Sequence, residues 1–82
     1  MRMHLSKQPD LLIIKLIEKL RDSDRRTRRN AAGALGIQGA RALGATPALS
    51  ALLSDSDPEV RATAQRTLDH LRFAQYISVV GE

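Results

Sequence analysis

Five arginines crowd one short stretch of this chain: Arg21, Arg25, Arg26, Arg28 and Arg29, in "LRDSDRRTRRNAAGAL". Cations at that density oppose the positive end of a helix and repel one another. Such a cluster suits an anion: a phosphate backbone, an acidic protein surface, or the acidic C-terminal half of the chain itself. On a helix, positions 25 and 29 share a face, with 21 and 28 close by, while Arg26 points elsewhere. A solvated charged face is the third reading. No aromatic residue interleaves the arginines and no recognition-helix motif accompanies them, which counts against base-specific nucleic-acid binding.

Other chemistry finds less support. His4 and His70 are far apart and share no carboxylate cluster, so no metal site is expected. Asp22/Asp24 and Asp55/Asp57 look like carboxylate pairs, but Asp-x-Asp before a helix is a cap far more often than an acid–base pair. Ser6, Ser23, Ser50, Ser54, Ser56 and Ser78 have no His/Asp arrangement around them and read as caps, turns and helix surface. Gly36, Gly39 and Gly44 follow no strand and precede no Gly-Lys-Ser/Thr, so they form no phosphate loop. No enzyme activity, cofactor, metal or small-molecule substrate is expected.

The chain has 82 residues, which allows one small domain, residues 1–82. Phe73 and Tyr76 are its only aromatics, and Leu, Ala, Ile and Val supply nearly all the remaining apolar surface. Such side chains suit close helix packing. There is no cysteine, so no disulfide framework exists. No signal peptide is visible, and the run Leu11–Ile14 is too short to span a bilayer. A cytoplasmic protein without membrane contact is expected. Residues 1–41 hold ten Lys/Arg against four Asp/Glu, and residues 42–82 hold three against five. The charge is thus polarised from end to end.

The elements that position the arginines come in two copies. Residues 16–36 laid over 49–69 match at eight of twenty-one positions: Leu16/Leu49, Leu20/Leu53, Asp22-Ser23-Asp24/Asp55-Ser56-Asp57, Arg28/Arg61, Ala31/Ala64 and Leu35/Leu68. Self-similarity at a fixed period marks a helical repeat. Unit one, about 9–36, reads as a helix from Pro9 to Leu20, a turn, and a helix from Arg25 to Leu35 ending at Gly36. Leu12, Ile13, Leu16, Ile17 and Leu20 form the apolar face of its first helix. Unit two, about 47–72, reads as a helix from Pro47 to Leu53 capped by Thr46, a turn, and a helix opened by Pro58. Ser56 and Glu59 stand at capping-box spacing there. Val60, Ala64, Leu68 and Leu71 are its inner face. The linker, about 37–46, is expected to hold a short helical turn near Ala40–Leu43. The second helix is expected to reach about Tyr76. The tail 73–82 reads as a short extended segment or a fraying end.

"TPALSALLSDSDPEVRATAQRTL" resembles a HEAT-like repeat of the short bacterial and archaeal type, also found in phycobilisome-lyase-related proteins. The matching residues are Pro47, Ala48, Leu49, Leu52, Leu53, Asp55 to Arg61, Ala64 and Leu68. Unit one matches less closely, with Arg25, Arg26 and Thr27 where unit two has Pro58, Glu59 and Val60. The resemblance implies an all-α fold, a short α-solenoid of two helical hairpins with four main helices and a possible extra short one. It also implies that Arg28 and Arg61 bridge to turn carboxylates such as Asp24, Asp55 or Asp57.

Two units are fewer than a solenoid normally stacks, so both end faces should be open. Neither end reads as a polar cap. Leu11, Ile14, Phe73, Tyr76, Ile77, Val79 and Val80 are the candidate contacts for a second chain. The expected function is a non-enzymatic protein–protein interaction or assembly module, with self-association included and a basic patch at residues 21–29. A nucleic-acid-binding module is the alternative. An accessory role beside an enzyme or pigment complex follows only from the lyase-related branch of the resemblance.

Overall fold

A computed structural model of the chain describes residues 10–80, with the side chains of residues 10–77. Every regular element among them is helical: α1 (Leu11–Lys19), α2 (Arg25–Gln38), a 3-10 segment (Gly39–Ala45), α3 (Thr46–Ala51), a second 3-10 segment (Leu52–Ser54) and α4 (Pro58–Val80). The fold is all-α. Where four comparable helices are expected, α1, α2 and α4 are long, and α3 is a six-residue helix between the two 3-10 runs.

Each helix start has a local cause. Asp10 caps α1 by accepting from the Ile13 N–H at 3.3 Å, so α1 begins after Asp10 rather than at Pro9, which lies outside the described residues. Asp24 caps α2, accepting from the Arg26 N–H at 3.1 Å and the Thr27 hydroxyl at 3.3 Å. Asp57 caps α4, accepting from the N–H groups of Glu59 and Val60 at 3.1 and 3.0 Å. The cap is therefore Asp57 and not Ser56, because Pro58 opens the helix and the residue before it holds the cap position. Thr46 is no cap either. It lies inside α3, and its hydroxyl donates to the Leu43 carbonyl at 2.8 Å.

The ends differ from expectation in two places. α2 runs through Gly36 and stops at Gly39, the one residue with positive φ (60°) among those described. Gly36 has a different task. A Cβ there would meet the Thr67 hydroxyl oxygen at 3.2 Å, so the missing side chain lets α4 close on α2. α4 continues to Val80 without an extended segment, since neither Gly nor Pro interrupts the sequence between Pro58 and Gly81.

The core is built from small and branched apolar residues. Leu20, Leu35, Leu49, Val60 and Leu71 are fully enclosed, and Ala31, Ala32, Ala42, Ala45 and Ala64 fill the gaps between helices. α2 and α4 run side by side and parallel, pairing Gly33 with Thr63 and Gly36 with Thr67. The buried Thr67 hydroxyl donates to the Ala32 carbonyl at 2.9 Å and is thus paired within the seam. Leu12, expected on the inner face of α1, is 46% exposed.

The two seam glycines differ in the room above them. At Gly33 a Cβ meets nothing nearer than Thr63 Cγ2 at 3.9 Å, an ordinary contact. Gly33→Ala should therefore stabilise the fold by up to about 1 kcal/mol through helix propensity. Gly36→Ala should gain less or lose stability, because Thr67 is held by its hydrogen bond. Thermal denaturation of both variants checks this; equal gains would contradict it.

Candidate interaction surface

The repeated Asp-Ser-Asp is one turn built twice. In unit one, Asp22 Oδ1 accepts from the Asp24 N–H at 2.8 Å; in unit two, Asp55 Oδ2 accepts from the Asp57 N–H at 2.9 Å. In each, the arginine six residues after the first Asp returns to that turn. Arg28 Nη1 donates to the Asp22 carbonyl at 2.8 Å and the Ser23 carbonyl at 3.1 Å. Arg61 Nη1 donates to the Asp55 carbonyl at 2.7 Å.

Arg28 does one thing more. Its Nε and Nη2 donate to the two carboxylate oxygens of Asp55, at 2.8 and 3.0 Å, a bidentate bridge from unit one to unit two. Both side chains are largely shielded, 14% and 9% exposed. The Arg28 guanidinium holds the Asp55 carboxyl below its ordinary 3.8, against the opposing effect of burial, with the Asp57 N–H assisting. Arg28 is in turn raised by its hydrogen bonds to Asp55.

The other cluster arginines divide. Arg25 pairs with Asp57 at 3.7 Å, and Arg29 pairs with Glu59. Three of the five cluster cations thus meet carboxylates of unit two. Arg21 and Arg26 are exposed and form no ion pair among the described residues. Of the two repeat arginines expected to reach turn carboxylates, Arg28 does so, while the hydrogen bond of Arg61 goes to backbone. Arg41, unremarked in the sequence, reaches Asp10 at 2.6 Å and fastens the start of α1 to the first 3-10 segment.

The outward face of unit two is mixed, with Leu43, Leu53, Leu68 and Leu71 beside polar side chains. Thr46, Ser50, Gln65 and Gln75 line a cleft there. Their counterparts 33 positions earlier are Ile13, Ile17, Ala32 and Ala42, which face unit two in the core. Unit one's outward cleft shows the same change, with Lys19, Thr27 and Asn30 where unit two buries Leu52, Val60 and Thr63. Polar side chains thus stand beside leucines and alanines in both outward clefts, and neither end is a wholly polar cap.

Uncovered apolar surface lies elsewhere. Leu11 and Ile14 on α1 are 65% and 40% exposed, and Phe73, Tyr76 and Ile77 on α4 are 61%, 62% and 50% exposed. Both groups flank the first 3-10 segment, α1 through the Asp10–Arg41 pair and α4 through Arg72 and Gln75, which share a cleft with Leu43. The side chains of Val79 and Val80 lie outside the described residues. Ile37, missed in the sequence because Gly36 read as the helix stop, is 83% exposed. His70 is exposed on α4, and His4 lies outside the described residues. Among the described residues no cluster of His, Cys, Asp or Glu could hold a metal ion, and no helix is long and apolar enough to cross a membrane.

The Asp55 carboxyl gives a pH dependence. Its folded value is depressed, so its stabilisation is full above the ordinary value of 3.8 and is lost as pH falls through the folded value. Asp55→Asn should lower Tm by more than about 4 °C at neutral pH. The gap to the natural chain should shrink as pH falls below about 4. Melting curves across the acid range check this; a gap independent of pH would contradict it.

Comparison with known proteins agrees with the doubled turn and the stacked helices. The family description "HEAT repeats" matches residues 13–80. No curated protein and no solved structure matches the chain. The match covers α2, α3, both turns and nearly all of α1, and it runs to the end of α4. On that span, the chain belongs to the HEAT-repeat family.

Proposed function

We propose that this chain is a non-enzymatic protein–protein interaction module: two HEAT-like hairpins forming a short α-solenoid that docks through exposed helical surface, self-association included. HEAT repeats commonly mediate contacts between proteins. The observation that carries the reading is the far end of α4. The repeat counterpart of Gln38, the last residue of α2, is Leu71, the last buried residue of α4. α4 then continues to Val80, and Phe73, Tyr76 and Ile77 stand on one face of that extension at i, i+3 and i+4, each at least half exposed. An aromatic stripe on a projecting helix is suited to a partner groove or to a second copy. Leu11 and Ile14 form a second exposed apolar group, on α1.

The polar side chains that enter both outward clefts favour docking through this end over indefinite stacking. The ion pairs of Arg25, Arg28 and Arg29 weigh against the nucleic-acid alternative, because they occupy the cations a phosphate backbone would use. The basic patch then contributes to partner binding chiefly through Arg21 and Arg26. A cytoplasmic location belongs to the same reading, with which the cysteine-free composition is compatible.

Light scattering over the micromolar range tests the proposal. The natural chain should show a mass above that of one copy. The triple variant Phe73→Ser, Tyr76→Ser, Ile77→Ser should be a folded monomer, since these side chains lie outside the core. A natural chain that stays monomeric and binds no hydrophobic dye would overturn the self-association.

A further inference from the structure

Three clefts open along the seam between α2 and α4, and they share walls. Arg29 and Glu59 line both the first and the second; Thr63 and Arg66 line both the second and the third. Together they follow the seam from Arg25 to Ile37, about 18 Å at the rise of an α-helix, with the Arg29–Glu59 ion pair crossing it between the first and the second. Arg25, Arg26, Arg29 and Arg66 border it, against the two carboxylates of Asp57 and Glu59, so it is net basic. Arg26 and Arg66 form no ion pair among the described residues.

The far half of the groove is apolar. Gly33 and Gly36 form its floor on α2, and Ile37 stands beside them, 83% exposed. Gly36 is explained by Thr67. Gly33 is not required by packing: it weakens the helix interior, its φ is not positive, and a Cβ there would make only an ordinary contact with Thr63 Cγ2 at 3.9 Å. The bare backbone of Gly33 and Gly36 beside the exposed isoleucine leaves a shallow, open apolar cleft between α2 and α4.

We propose that this groove binds an acidic peptide segment with a central aliphatic residue. The aliphatic side chain lies over Gly33 against Ile37, and the flanking carboxylates pair with Arg66 on one side and Arg26 on the other. The proposal rests on the reading of the chain as a protein-binding module, and it names the surface and the chemistry of the partner. A phosphate backbone fits less well, because Asp57 and Glu59 line the same groove and no aromatic side chain offers a stacking platform.

The test is fluorescence anisotropy with a labelled Glu-Asp-Leu-Asp-Glu peptide, at low and at raised salt, on the natural chain. Binding should weaken as salt screens the charges. A Glu-Asp-Ser-Asp-Glu peptide should bind at least about tenfold more weakly, the size expected for losing a buried leucine. Ile37→Ser and Arg66→Ser, both at exposed positions, should each lower affinity at least about fivefold with unchanged melting curves. Equal affinity for the two peptides, or unaffected variants, would overturn the proposal. So would tighter binding of single-stranded oligothymidine that survives Ile37→Ser. A chain that ignores the peptide yet still self-associates through Phe73, Tyr76 and Ile77 would lose this site and keep its role as an interaction module. A chain that does neither would lose both.

Discussion

The Asp55 carboxylate is the point on which the two repeats hang together. It accepts two hydrogen bonds from Arg28 of unit one and one from the Asp57 N–H of its own turn, while its carbonyl accepts from Arg61. One residue thus shapes a turn, helps place the cap of α4 and fixes the register of α2 against α4. A planar guanidinium meeting a carboxylate through two parallel bonds constrains rotation as well as distance. With few large side chains in the core, such directional contacts carry much of the specificity that bulk packing supplies in larger domains.

That constraint explains why the arginines cluster where they do. Cations in the first turns of α2 oppose its dipole. They are tolerated because α4 begins alongside, with Asp57 and Glu59 in reach of Arg25 and Arg29. Exposed pairs of this kind contribute little stability each. Their value lies in matching the start of one helix to the start of the other. The polarised charge of the chain is therefore partly neutralised inside the molecule, and of the cluster at 21–29 only Arg21 and Arg26 face outward without an ion pair among the described residues. The polar replacements at Thr46, Ser50, Gln65 and Gln75 fit the same picture, polar side chains set among the leucines of the outer face.

Much of this was legible in the sequence. The offset of 33 residues located both turns and both second helices, and the resemblance led to the Arg28 bridge. The turn Asp residues read correctly as caps because their side chains act locally. What escaped depended on neighbours distant in sequence. Gly36 looks like a helix stop, and only Thr67 thirty-one positions later shows it as a packing site. Thr63 and Thr67 look like surface residues, yet they are buried against α2, one with its hydroxyl satisfied by Ala32. The groove combines residues of both units, so neither unit alone displays it. The polar side chains in the outward clefts were readable by comparing the two copies position by position.

The central claim is that Arg28 and Asp55 act as one unit joining the repeats. A double-mutant cycle with Arg28→Ala and Asp55→Ala, followed by chemical denaturation, measures it most directly. Each single variant leaves a largely shielded charge without its partner, so the double variant should be no less stable than the worse single one. If the two losses simply add, Arg28 and Asp55 stabilise the chain independently, and the account of the repeats joined through this pair is wrong.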